Sequence, residues 1–142
     1  MKIGFIDDFP QEHFDYKYAI VVTMYGDRLL LVNHKDRDTW ELPGGRRESN
    51  EEINETAKRE LFEETGALKF ELTPICDYYV EEDDVVTYGR LFFADIMEID
   101  PLPDYEIEKI EFFDHLPDNL TYSRVQPVLL RKVMEEINRG EF

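Results

Sequence analysis

GRRESNEEINETAKRELFEETGA, residues Gly45 to Ala67, is the stretch on which the fold turns. Its middle has the marks of a helix. Ser49 is placed as N-cap with Glu52 reaching back to it, a capping box, and Gly66 supplies the stop. Ile53, Ala57 and Leu61 recur every four residues, giving one apolar stripe to lay on a sheet. At about 100° of rotation per residue, Glu60, Glu63 and Glu64 occupy one arc of the same helix. Like charges at these spacings destabilise a helix, more so when partly buried. A divalent cation reverses that penalty. Hard oxygen ligands suit Mg²⁺, Mn²⁺ or Ca²⁺, with Mg²⁺ or Mn²⁺ preferred here, whereas zinc recruits His or Cys, neither of which accompanies the cluster. The arc overlaps that of Ile53 and Ala57, so Glu64 is expected at the edge of the core. Arg59 stands beside the cluster, placed to orient a carboxylate by a charge-assisted hydrogen bond.

Upstream, Lys17–Tyr25 and Arg28–Val32 are strand-like runs separated by Gly26-Asp27, a hairpin pattern. A polar loop, Asn33 to Thr39, leads to Trp40-Glu41-Leu42-Pro43-Gly44-Gly45. Proline and paired glycines there imply a turn rather than regular structure, with backbone free to offer carbonyls to a metal or amides to a phosphate. Downstream, Leu68–Val80 and Val85–Ile99 are expected as long strands joined by a solvated acidic tip, Glu81 to Asp84. After a Pro-interrupted loop, Asp100 to Asp104, comes a short strand, Ile107–Phe113. Ser123 to Asn138 forms a second amphipathic helix with Val125, Leu129, Leu130 and Val133 inward and Pro127 in its first turns. The pattern predicts a single α/β domain over residues 1–142, a mixed β-sheet covered by helices on both faces.

Composition constrains the ligand. The chain has 142 residues, one domain's worth, with 33 acidic against 16 basic side chains and a formal charge of −17. Such a chain repels polyanions, which argues against duplex nucleic acid and anionic membranes, and any phosphate ligand needs explicit help. Hydrophobic residues at 42% and aromatics at 13% are too abundant for a disordered acidic chain. Cys76 is the only cysteine, so no intramolecular disulfide is expected and a cytoplasmic setting is indicated. Met1 to Pro10 has no basic region followed by an apolar run, and the longest apolar runs are strand-length, so neither a signal peptide nor a membrane span is expected.

Gly45, Glu51, Arg59, Glu60, Glu63, Glu64 and Gly66 fall on the fixed positions of the Nudix box, G-x(5)-E-x(7)-R-E-U-x-E-E-x-G-U with U a bulky aliphatic. Ala67, at the last apolar position, is the one departure. The preamble Trp40 to Gly44 also looks like the family's usual entry. Over about a fifth of its length the chain therefore resembles the Nudix hydrolases. The resemblance implies an α/β/α sandwich that hydrolyses a nucleoside diphosphate linked to a moiety X, by water attack on phosphorus with divalent metals. It makes Glu60, Glu63 and Glu64 metal ligands, adds the Gly44 carbonyl, and makes Glu60 a candidate base. Family members often carry one more carboxylate in a loop before the last strand, as ligand or base. Glu106, six residues before Phe112, is chosen for it, with Asp104 and Glu108 as rivals.

Other residues carry two readings. Gly45, Arg37 and Arg46, with Arg47, flank or open the box and are candidates for gripping phosphate; the alternatives are a plain turn and salt bridges to neighbouring acids. Glu51 equally suits a helix N-terminus. His13, His34 and His115 lack ligand spacing and are read as surface or loop residues. Trp40, Tyr78, Tyr79, Tyr88 and Phe92 are stacking candidates, though strand aromatics more often pack in cores, and Cys76 is read as inert packing.

His34-Lys35-Asp36-Arg37, Phe92 to Ile96 and Leu116 to Leu120, with the small size, look like MutT-type nucleoside triphosphate pyrophosphohydrolases, which include those acting on 8-oxo-dGTP. The leading expectation is Mg²⁺- or Mn²⁺-dependent hydrolysis of a nucleoside triphosphate, oxidised forms included, to monophosphate and pyrophosphate, by a monomer or homodimer. The alternatives are an ADP-ribose, NDP-sugar or RNA 5′-pyrophosphohydrolase and, in another class, a non-catalytic nucleotide sensor. The intact box carboxylates weigh against the sensor.

Overall fold

A computed structural model of the chain describes residues 1–6, 15–99 and 107–138. The continuous apolar runs of the central strands explain their position. In β2 (Tyr16–Tyr25), Val21 faces one side of the sheet and Val22 the other; in β3 (Arg28–His34), Leu30 and Val32 oppose Leu29 and Leu31. Strands that are apolar on both faces need cover on both faces. One cover is α1 (Ile53–Thr65), which lays Ile53, Ala57 and Leu61 on Ala19, Val21, Leu30, Val32 and Phe92. The other is α2 (Gln126–Asn138), whose Leu129 and Val133 pack with Val22, Leu31, Leu42, Tyr78 and Leu91. The expected α/β/α sandwich is what forms.

Between the helices lies a seven-stranded mixed sheet, completed by β1 (Lys2–Ile6), β4 (Gly44–Arg46), β5 (Ala67–Glu82), β6 (Val85–Ile99) and β7 (Ile107–Phe113). The path runs β1-β5-β6-β2-β3-β7, and β4 lies off it, pairing with β2. Only β2 and β6 run parallel among these pairs. β3 meets β2 at Met24 and Tyr25, whereas β4 meets it at Tyr18, Ala19 and Ile20. Two strands thus share one edge of β2 and diverge from each other, opening the sheet where the box begins. At the β5–β6 hairpin the acidic tip is shorter than expected, Glu81 and Glu82 belonging to β5, and Asp83 and Asp84 both adopt positive φ, a conformation that aspartate tolerates in tight hairpins.

A buried ion pair ties the sheet to α1. Arg90 Nε donates to Asp77 Oδ1 at 2.7 Å, its Nη2 donates to the Tyr16 hydroxyl at 2.9 Å, and its Nη1 reaches Asn54 Oδ1 at 3.3 Å. Tyr16 in turn donates to Asp77, and burial with that carboxylate pushes its pKa up to about 12.

Four further expectations need correction. Helix α1 starts at Ile53 with Glu52 as N-cap, not Ser49: the Glu48–Glu51 segment closes its own turn, and Glu55 Oε1 accepts from the Glu52 amide at 3.1 Å. Gly44–Arg46 is a short strand rather than a bare turn, because Pro43 and the glycines lie along the free edge of β2. β1, not anticipated from the sequence, pairs antiparallel with β5. Helix α2 starts at Gln126 rather than Ser123, the preceding residues forming turns around the Tyr122 carbonyl. Among the described residues no helix is long and apolar enough to cross a membrane.

Candidate active site

Helix α1 presents its three carboxylates in order of decreasing burial. The side chains of Glu64, Glu60 and Glu63 are 5%, 15% and 32% exposed. Glu64 follows Ile53, Ala57 and Leu61 around the helix and so continues the buried stripe. Its Oε1 accepts the Gly44 amide at 2.6 Å. Burial raises its pKa, against the pull of His34 and of that amide. Glu60 lies over Gly45, where a Cβ would sit 2.5 Å from its carboxyl carbon. First burial and then the neighbouring Glu64 push the Glu60 pKa up to about 7, although Arg59 opposes them.

Arg59 orients the arc. Its Nη1 donates to Glu60 Oε1 at 2.7 Å and Glu63 Oε2 at 3.3 Å, while Nε and Nη2 grip the two oxygens of Glu51 at 2.6 and 3.1 Å. Nη2 also reaches the Arg46 carbonyl at 3.1 Å. Glu51 accepts further bonds from Thr56 Oγ1 and the Glu48 amide, and its pKa falls to about 2, chiefly through Arg59. Glu51 therefore anchors the arginine that holds Glu60, a structural task that neither a capping role nor a ligand role describes.

The other candidates separate. Arg37 reaches Glu41 Oε2 at 3.4 Å, the salt bridge held open as its alternative. Arg46 is exposed, its guanidinium 6.0 Å from the centre of the Tyr18 ring. Arg47 is committed to the Tyr16 and Glu51 carbonyls and to Asp15. Asp104 and Glu106 lie outside the described residues, and Glu108 falls in β7. Phe92 and Tyr78 are core residues, and burial pushes the Cys76 thiol up to about 12, as inert packing requires.

His34 corrects the sequence analysis. It is no loop residue but the end of β3, and its Nε2 lies 2.9 Å from Glu41 Oε1 and 3.0 Å from Glu64 Oε2. The two carboxylates, Glu41 first, push its pKa up to about 10 against its burial. Glu41 is itself buried, bridged through its backbone to Val32. One signal pointed this way: Leu30, Val32 and His34 alternate onto the face that α1 covers.

On the other side of β4 is a cavity of about 340 Å³, lined by Tyr18, Ile20, Gly44, Gly45, Tyr78 and Tyr122 among others. Gln126 also lines it, with its Oε1 accepting the Leu42 amide at 2.8 Å. The same two glycines thus touch the carboxylate arc and wall an aromatic pocket.

Residues 15–120 match the model of the NUDIX domain. The chain belongs to the Nudix family. This Nudix hydrolase is 34% identical over 129 residues to the Bacillus subtilis (strain 168) protein named "Putative 8-oxo-dGTP diphosphatase YtkD", covering 84% of this chain and 81% of that one. It is also similar to the RNA pyrophosphohydrolase of Bartonella henselae, 39% identical over 61 residues, or 41% of this chain and 35% of the relative. Among solved structures, that of the Bacillus subtilis pyrophosphohydrolase BsRppH superposes with a TM-score of 0.77 at 31% identity, over 94% of this chain and 89% of the other.

Proposed function

We propose that this Nudix hydrolase cleaves a nucleoside triphosphate, oxidised forms included, to the monophosphate and pyrophosphate. The observation that carries the reading is the shared wall: Gly44 and Gly45 border both the carboxylate arc and the tyrosine-lined cavity. A base held against Tyr18 and the exposed Tyr122 would have its 5′-phosphates directed towards the arc. The cavity's volume is in the range of small-molecule sites. Support comes from the relatives named as an 8-oxo-dGTP diphosphatase and a pyrophosphohydrolase.

The donor set fits a divalent cation. Three mutually repelling carboxylates crowd one arc, and burial with Glu64 still raises the Glu60 pKa to about 7 against the pull of Arg59. Glu60, Glu63, Glu64 and the Gly44 carbonyl would hold Mg²⁺ or Mn²⁺. Bound there, the cation supplies charge neutralisation for the anhydride and acidifies a coordinated water. The protein's own groups do the rest. Arg59 keeps Glu60 and Glu63 aimed into the arc, and Gly45 lets Glu60 approach the strand. Glu60 is the described base candidate for the attacking water, and Glu106, with Asp104 or Glu108, is the loop alternative. The water oxygen bonds to phosphorus, its proton passes to the carboxylate, and the anhydride oxygen leaves with pyrophosphate or with the monophosphate, according to the phosphorus attacked.

A second reading, removal of pyrophosphate from an RNA 5′ end, is favoured by one feature. Beside β4 a second cavity, lined by Lys17, Arg46 and Tyr88, gives this acidic protein exposed cationic side chains next to the site, where a following nucleotide's phosphate fits. Purified protein with Mg²⁺ or Mn²⁺ should release pyrophosphate from nucleoside triphosphates faster than it cleaves ADP-ribose or NDP-sugars. Faster turnover of triphosphorylated RNA would select the second reading, and no turnover of any would sink both.

A further inference from the structure

The structure points to a transition-metal site made by His34, Glu41 and Glu64, one that no residue type in the box announces. The three donor atoms lie within 4.8 Å of one another, in a setting where the side chains of His34, Glu41 and Glu64 are 21%, 9% and 5% exposed. His34 Nε2 is itself fully buried, and neither carboxylate oxygen is aligned well enough with it to close a hydrogen bond. We propose that His34, Glu41 and Glu64 bind a divalent transition cation such as Zn²⁺, Co²⁺ or Mn²⁺ in preference to Mg²⁺.

The misalignment carries the proposal. An imidazolium paired with a carboxylate points its N–H at an oxygen. Here two oxygens straddle the ring nitrogen at 2.9 and 3.0 Å, off its axis. Two ligands at right angles on a five- or six-coordinate cation, each about 2.1 Å away, stand about 3.0 Å apart, and each then lies about 45° off the other's bond axis, whereas a tetrahedral pair would stand about 3.4 Å apart. The arrangement that makes poor hydrogen bonds is thus the one that cis ligands adopt around a metal. Charge permits it: a dication bound in place of the imidazolium proton meets two carboxylates, with Arg37 beside Glu41. So does chemistry. Imidazole nitrogen suits zinc, cobalt and manganese, whereas magnesium keeps its waters and prefers oxygen.

The surroundings hold the ligands in place. The second oxygen of Glu41 faces Arg37 at 3.4 Å, and Glu64 Oε1 accepts the Gly44 amide. Glu64 would be shared with the arc, placing this cation beside the one that the box holds. The proposal does not depend on what the enzyme hydrolyses.

Zn²⁺ binding to ¹⁵N-histidine-labelled protein in excess Mg²⁺ tests it, read by imidazole ¹⁵N spectra and by competition with a chelator. The Nε2 resonance of His34 should move to a metal-bound position and saturate at one equivalent. His34→Gln and, separately, Glu41→Gln should each weaken Zn²⁺ binding by at least about tenfold, whereas Glu60→Gln should leave this resonance shift in place. Circular dichroism checks that each variant is folded. An Nε2 resonance that stays protonated at saturating Zn²⁺, or Zn²⁺ affinity unchanged in both His34→Gln and Glu41→Gln, would overturn the site while leaving the hydrolase assay unaffected.

Discussion

Three glutamates on one helix face meet three different environments. Glu64 is fixed by an amide and lies 3.0 Å from an imidazole nitrogen, Glu60 is crowded and poised near neutrality, and Glu63 is the most exposed, held by one long contact to Arg59. Glu63 therefore owes least to packing and is the cleanest probe of the arc. Glu63→Gln should lower kcat by about 100-fold or more, the scale on which single electrostatic groups act, while the melting temperature in EDTA stays unchanged; undiminished turnover would remove Glu63 from the site. Glu51 behaves in the opposite way. Its pKa falls from 4.5 to about 2 on folding, so the carboxylate stabilises the fold fully above pH 4.5, and that stability is lost as pH falls towards 2. In melting curves against pH, Glu51→Gln should be several degrees less stable than the parent at pH 7, and the gap should close under acid. A gap independent of pH would mean that Glu51 acts through something other than its charge.

At the scale of elements, the site depends on how tightly β4 runs beneath α1. Gly45 provides that approach, for any side chain there meets the Glu60 carboxylate. Because the obstacle is the end of a long side chain, Gly45→Ala should displace the carboxylate rather than unfold the strand. The expected result is a near-native melting temperature with Mn²⁺ affinity reduced about tenfold, measured by electron paramagnetic resonance; equal affinity would show that Glu60 does not hold the ion. Most elements were legible because their signals are local. Strand-length runs rich in apolar, β-branched and aromatic residues between turn signals marked β2, β3, β6 and β7, and the four-residue stripe with Gly66, whose φ of 74° is left-handed, marked α1 and its end. The helix start was misplaced because Ser49 and Glu52 mimic a capping box, while the cap that forms uses Glu52 and Glu55 one step further on. β1 was invisible because a short terminal strand exists only through its partner β5.

For the molecule as a whole, a charge of −17 works against compactness as well as against a phosphate ligand. Cations that bind the folded arc, and not the unfolded chain, must stabilise the protein by mass action, by about 2.7 kcal/mol at a hundred times Kd. Millimolar Mg²⁺ should therefore raise the melting temperature more than NaCl of equal ionic strength, EDTA should reverse the gain, and Glu63→Gln should shrink it. Equal effects of the two salts would reduce the arc to ordinary screening. Family, helix, strand runs and the box carboxylates were all present in the amino-acid order, because each depends on neighbours within a turn or two, or on a fixed spacing. What only the tertiary structure decided is the company those carboxylates keep. Gly44 delivers its amide to Glu64 across 20 positions, and His34 arrives from β3 to meet Glu64, with Glu41 against the same imidazole nitrogen. Such contacts are set by where strands diverge and which face a helix covers, quantities that no local spacing encodes.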